Sequence, residues 1–217
     1  MLTKEIKIPT SGRPIEAYTM HQEKRPDKAF LILPGKGYTI NHFLLDFLWR
    51  MAAEAGFYAI KAEYRGYTYR HLGEPYDAKQ SIQDAGFIFE FLADQGLKPE
   101  NIVPCTKSLG TIALAGMLEN QNICLQKAVL LTPVMYYKKG SDTLPLWSGF
   151  NTKVAESYVV FGTEDPFCDM DTAATVFPTA AIDCCEGADH GLYIENNYKM
   201  TMKINEQIIE KVKKFIL

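Results

Sequence analysis

The sequence predicts a three-layer α/β sandwich: a mostly parallel, twisted sheet with helices on both faces and an antiparallel hairpin at its N-terminal end. Three observations predict it. Short, continuously apolar runs such as AFLIL (29–33) and SYVVFG (157–162) recur along the chain, as strands buried on both faces require. Between them lie longer segments with apolar residues at helical spacing, and that sustained alternation specifies a parallel sheet with helical crossovers. The length of 217 residues, 47% of them hydrophobic, suits one substantial core, so one domain over 1–217 is expected.

Each element follows in order. KEIKIPTSGRPIEAYTM alternates apolar and polar residues around an SGRP turn signal and reads as a hairpin. The AFLIL strand stops abruptly at PGKG. NHFLLDFLWRMAAEAG then puts Leu44, Leu45, Leu48, Met51, Ala52 and Ala55 on one helical side, with Asn41 as the expected cap and Gly56 just past the end. FYAIKAEY (57–64) returns to strand. In DAKQSIQDAGFIFEFLADQG, Ile82, Ala85, Ile88, Phe89 and Leu92 share a face before Gly96 and Pro99 stop the helix. Strand NIVPC, helix SLGTIALAGMLE and strand KAVLLTPV come next, followed by a polar and aromatic stretch from Met135 to Lys153. Strand SYVVFGTED, a short helix near Met170 to Val176 and strand TAAIDCC lead to the last helix, which carries Ile204, Ile208, Val212 and Phe215 at helical spacing.

Composition narrows the function. A net charge of −3 without a basic cluster lacks the electrostatic footprint of nucleic-acid or anionic-membrane binding, so a small-molecule partner is expected. No succession of basic, apolar and small residues marks a signal peptide, and the apolar runs fall far short of the roughly 18 residues of a membrane span. A cytoplasmic protein is therefore expected. Cys105, Cys124, Cys168, Cys184 and Cys185 are odd in number and scattered, with no CxxC and no histidine at metal spacing. Most read as reduced core thiols, with no metal and no cofactor expected.

The chemistry centres on NIVPCTKSLGTIAL. By residue type alone, Ser108 reads as a helix N-cap. Its context is strand, then Thr106-Lys107-Ser108-Leu109-Gly110, then helix, which is the setting of a strained nucleophile elbow. A helix starting there would aim N–H groups and a partial positive charge at a developing oxyanion.

At this point the chain resembles the α/β-hydrolase superfamily through almost its whole length, and KSLGT looks like the elbow of its small, lidless bacterial serine hydrolases. The superfamily pattern is G-x-S-x-G. Thr106 departs from it at the first position, which predicts tighter packing under the serine.

The resemblance implies the chain order serine, acid, histidine. His190, in CCEGADHGLY after the last strand, matches the histidine; His21 and His71 precede the elbow and do not fit, and His42 is expected near the site mouth. Asp165, at the end of YVVFGTED, matches the acid, with Glu164, Asp169, Asp171 and Asp189 as competitors. The oxyanion hole would join the Leu109 N–H to one from PGKGYT, at Lys36 or Gly37. PGKG lacks the full phosphate-loop pattern, so nucleotide binding is excluded. Arg65, in AEYRGYTYR, reads as a structural hydrogen bonder.

Only about two dozen residues separate the strands where larger relatives insert a lid, so no large cap is expected. Tyr38 and His42 are candidate substrate contacts, as are Tyr136 and Trp147, although the aromatics after residue 134 could equally cover the sheet edge. The implied function is a serine hydrolase acting on an ester or thioester of a small to medium substrate. The alternative is a binding or scaffold protein that keeps the fold without the activity. Oligomeric state is not legible in the sequence.

Overall fold

A computed structural model describes residues 1–217. The opening hairpin forms as β1 (Leu2–Ile8) antiparallel to β2 (Ile15–His21). The strands β3 (Ala29–Leu33), β4 (Tyr58–Glu63), β5 (Ile102–Lys107), β6 (Leu125–Leu131), β7 (Val154–Gly162) and β8 (Ala181–Cys185) follow. All eight make one sheet in the order β1-β2-β4-β3-β5-β6-β7-β8. From β4 to β8 the neighbours are parallel, and only the hairpin and the β2–β4 pairing are antiparallel. Every residue of β3, β4 and β5 is buried, which explains why their sequences lack the period-two alternation seen in β2.

Helices cover both faces. On one side lie α1 (Phe43–Glu54) and α7 (Tyr198–Ile216), whose Leu44, Leu48, Ile204, Ile208 and Val212 enclose a core of 24 buried residues with one face of the sheet. The other face carries α3 (Ala78–Asp94) and α4 (Leu109–Asn120), in a core of 35 buried residues. The short helices α2 (Arg65–Thr68), α5 (Phe150–Lys153) and α6 (Met170–Val176) complete the connections. There is no large cap: the connection between β6 and β7 holds only a single 3-10 turn and α5.

Local chemistry sets the boundaries. Asp77 caps α3 by accepting from the Gln80 N–H, and Asp169 caps α6 by accepting from the Thr172 N–H. The expected cap of α1 is displaced. His42, not Asn41, is its N-cap residue and makes no side-chain cap bond; the Asn41 amide oxygen accepts from the buried Lys61 ammonium instead of capping the helix. Arg65 is structural, as its sequence context suggested. Its Nε donates to Asp84 Oδ1 at 2.7 Å and its N–H to Asp84 Oδ2 at 2.9 Å, tying the turn after β4 to the middle of α3.

Two glycines allow backbone to meet backbone where the strands end. A Cβ at Gly110 would lie 2.4 Å from the Leu33 carbonyl oxygen, and one at Gly162 would lie 1.8 Å from that of Ala188. Neither neighbour is a flexible side-chain tip. Gly162→Ala should therefore push the segment after β8 away from the end of β7 and cost at least about 2 kcal/mol, the scale of an overpacked core. Urea unfolding of the variant measures this, and an unchanged midpoint would show that the Ala188 backbone yields freely.

Candidate active site

Ser108 stands between the end of β5 and the first residue of α4, with φ 51° and ψ −112°. This left-handed backbone is rare for a residue with a Cβ and marks a strained turn. Around it the chain is fixed: the Ser108 N–H donates to the Leu131 carbonyl at 3.0 Å, and its own carbonyl accepts from the Thr111 N–H and hydroxyl. Gly35 lies against it so closely that a Cβ there would sit 3.2 Å from that of Ser108. Ser108 makes no capping bond, so its hydroxyl is left for another partner. Thr106, in the position where the pattern has glycine, is fully buried and donates its hydroxyl to the Val129 carbonyl at 3.3 Å. Its side chain is absorbed by the core under the turn.

That partner is His190, whose Nε2 lies 2.7 Å from Ser108 Oγ across 82 positions of sequence. The other ring nitrogen, Nδ1, lies 2.9 Å from both carboxylate oxygens of Asp165, which is 3% exposed. With Nδ1–H donating to the carboxylate, Nε2 is left to accept the serine proton. Asp165 also accepts from the Phe167 N–H at 2.9 Å, and the Phe167 ring stands edge-on to the imidazole with centroids 4.8 Å apart. The competitors are engaged elsewhere. Asp169 caps α6 and accepts from the Tyr136 hydroxyl, Asp189 accepts from the N–H groups of Gly191 and Tyr193, and Asp171 and Glu164 are exposed.

The loop after β3 supplies the facing wall. Gly35 and Tyr38 exchange backbone hydrogen bonds, and the Tyr76 hydroxyl bridges the loop by donating to the Gly35 carbonyl and accepting from the Gly37 N–H at 3.0 Å. The Gly37 N–H, one of the two expected oxyanion donors, is thus already engaged. The N–H groups of Lys36 and Leu109 have no intramolecular partner. Glu63 steadies the far end of the loop by accepting from the Ile40 N–H; burial pushes its carboxyl up to about 7 against the lowering effect of the backbone N–H groups of Ile40 and Tyr64.

Beneath the histidine lies a cluster that the sequence did not signal. The Lys107 ammonium, with its residue 1% exposed, donates to the His190 carbonyl oxygen at 2.5 Å and to the Thr132 hydroxyl. It also lies 4.8 Å from the centre of the Tyr38 ring, on which His42 is stacked at 3.5 Å. His42 Nε2 is hydrogen-bonded to the Tyr193 hydroxyl. Burial, then the Lys107 charge, lowers His42 to about 4, so its ring is neutral at pH 7. Burial likewise lowers Lys107 to about 7, although Asp165 and Asp189 oppose that shift. A lysine inside TKSLG carries no marker of burial; only the assembled loops enclose it.

The expected substrate contacts need correction. Tyr136 and Trp147 are each 2% exposed: the Tyr136 hydroxyl is held by Asp169, and the Trp147 N–H donates to the Val134 carbonyl while its ring packs edge-on to Phe150 and Phe177. They seal the sheet rather than line an open wall. Tyr38 and His42 are half-buried at the site, but they stack on each other instead of presenting free faces.

No family model and no curated protein matches the chain. Solved structures do. A protein of unknown function from Agrobacterium tumefaciens, described as a candidate alpha/beta hydrolase, superposes with a TM-score of 0.75 at 13% identity over 98% of this chain and 94% of its own. An α/β serine hydrolase without lid from Xanthomonas campestris gives 0.69 at 12% identity over 98% and 94%. This chain has the α/β-hydrolase fold. A hyperthermophilic esterase from Pyrobaculum calidifontis shares the fold, with a TM-score of 0.70 at 16% identity over 99% of this chain and 86% of its own. In this α/β-hydrolase fold the elbow, Asp165 and His190 all lie at the carboxyl ends of strands, where open α/β sheets present their sites.

Lys107 makes stability depend on pH in a stated direction. Its folded value of about 7 lies below the ordinary 10.5, so between them the unfolded chain binds more protons and stability rises with pH. Relative to Lys107→Met, the parent should gain up to about 1.4 kcal/mol per pH unit between pH 7 and 10. Denaturant unfolding of both proteins across that range is the check; parallel curves would rule out a depressed lysine.

Proposed function

We propose that the protein is a serine hydrolase that cleaves an ester or thioester of a small to medium substrate. The observation that carries this reading is the continuous line of hydrogen bonds from Ser108 Oγ to His190 Nε2 at 2.7 Å and from His190 Nδ1 to Asp165 at 2.9 Å. A serine hydroxyl is a weak nucleophile until a base takes its proton, and this arrangement puts the base in reach with an acid holding its tautomer. Ser108 Oγ attacks the acyl carbon as its proton passes to His190 Nε2. The carbonyl oxygen becomes an oxyanion held by the N–H groups of Leu109, the residue after the serine, and of Lys36, the residue after the Gly35 that packs against it; neither N–H has an intramolecular partner. Collapse expels the alcohol or thiol with the proton from His190. Water, deprotonated by the same imidazole, then attacks the acyl-enzyme; the acyl–Oγ bond breaks, the imidazolium returns its proton to Ser108 Oγ, and the acid leaves.

Asp165 stabilises the imidazolium formed in each half-reaction without itself taking a proton. The short connection between β6 and β7 adds no cap domain over the site, which suits modest acyl groups. The esterase and lidless serine hydrolase named above lend the same reading the weight of analogy. All five cysteines are free thiols, although only Cys105 and Cys168 lie in the core where most were expected, and free thiols suit a reducing, cytoplasmic setting. No helix is long and apolar enough to cross a membrane.

Ser108→Ala should lower kcat for a p-nitrophenyl ester at least roughly a thousandfold while leaving the folded protein intact, since the serine makes the covalent bond. A fluorophosphonate should label the parent at Ser108 and leave the variant unmodified. Parent protein that is folded yet inert to both reagents would instead identify a binding protein built on a hydrolase fold.

A further inference from the structure

Resting on the serine hydrolase reading, we propose that Lys107 is a positioning residue that clasps the histidine loop to the nucleophile strand and so sets the distance between His190 and Ser108. The loop from Ala188 to Ile194 is a tight turn closed by its own bonds: Asp189 N–H to the Tyr193 carbonyl, Leu192 N–H to the Asp189 carbonyl, and a bridge between Ala188 and Ile194. Such a turn keeps its internal shape but not its place. Its entry is held by the Glu164 N–H, which donates to the Ala188 carbonyl at 3.0 Å. Besides the bonds of the His190 ring to Asp165 and Ser108, four side chains outside the loop tether it. On α7, Thr201 accepts from the Ile194 N–H at 2.9 Å and Asn205 donates to the Leu192 carbonyl at 3.3 Å; His42 bonds the Tyr193 hydroxyl, and Lys107 donates to the carbonyl of His190 itself at 2.5 Å.

Lys107 differs from the other three in what it connects. It is the residue before Ser108, on the same strand end, so its grip links the main chain of the base directly to the main chain of the nucleophile. Its ammonium has little freedom: the Thr132 hydroxyl takes a second donor bond from the end of β6, and the Tyr38 ring faces it at 4.8 Å. Asp165 and Asp189 are the nearest compensating charges, and Asp165 is the carboxylate that orients the imidazole. One buried amine thus joins the base loop to the strand end beside the nucleophile, within the field of the acid. A misplacement of about 1 Å in such a constellation can cost roughly a hundredfold in rate.

The test compares the parent with Lys107→Met, which keeps side-chain length and removes charge and donors, and with Thr132→Val, which removes one acceptor of the clasp. With folding monitored by near-ultraviolet circular dichroism, Lys107→Met should lower kcat roughly 10- to 100-fold with KM within about twofold. Amide exchange at 189–193 should quicken at least about tenfold, with the amides of α1 and α4 unchanged. The downfield Nδ1–H proton resonance of His190 should broaden or disappear. Thr132→Val should show the same pattern more weakly, and it carries the test if Lys107→Met does not fold. A folded variant with the parent's kcat, loop exchange and imidazole resonance overturns the proposal. A parent that is inert to esters, while its loop still loosens when Lys107 is replaced, sinks the hydrolase reading and leaves the clasp standing.

Discussion

The left-handed backbone at Ser108 is the constraint on which the rest of the structure depends. A residue with a Cβ holds φ near +51° only if its surroundings leave it no alternative. Here the surroundings are backbone: Gly35 presses from the loop after β3, Gly110 lets α4 approach the Leu33 carbonyl, and the Leu131 carbonyl holds the Ser108 N–H. The consequence is a hydroxyl turned to His190 and away from the first N–H groups of the helix that it heads. A relaxed N-cap would have turned the same oxygen inward onto those N–H groups.

Three separate strand ends converge on that hydroxyl, and each uses a different device to arrive. The acid comes from the end of β7, where Asp165 is buried and shared between the imidazole and the Phe167 N–H. The histidine loop reaches the site because Gly162 has no side chain to hold the Ala188 backbone off. The loop after β3 is braced from β4 by the buried Glu63 and from the segment before α3 by the Tyr76 hydroxyl. Polar groups therefore do the positioning here while the apolar cores set only the layer spacing. Buried polar groups of this kind are costly when left unpaired, so each one specifies a particular arrangement of its neighbours.

Much of the architecture was legible because burial leaves a periodic trace. The limits of β3, with five residues buried on both faces, can be read from AFLIL alone, and the apolar stripe of α7 marks its packed face. Where side chains had a choice of partners, the reading was less secure. Asn41 had the right type to cap α1, yet Lys61 from β4 claimed its oxygen. Trp147 and Tyr136 had the right type for a substrate wall, yet the Val134 carbonyl and Asp169 took their polar ends and the core took their rings.

The sequence by itself determined the layered sheet, the strand-to-helix turn around Ser108 and the order in which serine, acid and histidine occur. These depend on local geometry and on hydrophobic period, which act over a few residues. Tertiary structure alone decided that Ser108 meets His190 across 82 positions, that the Gly37 N–H is spent on Tyr76, and that Lys107 lies enclosed beneath the histidine loop. Those outcomes follow from how strand ends distant in sequence compete for the same donors and acceptors, and that competition has no period to read.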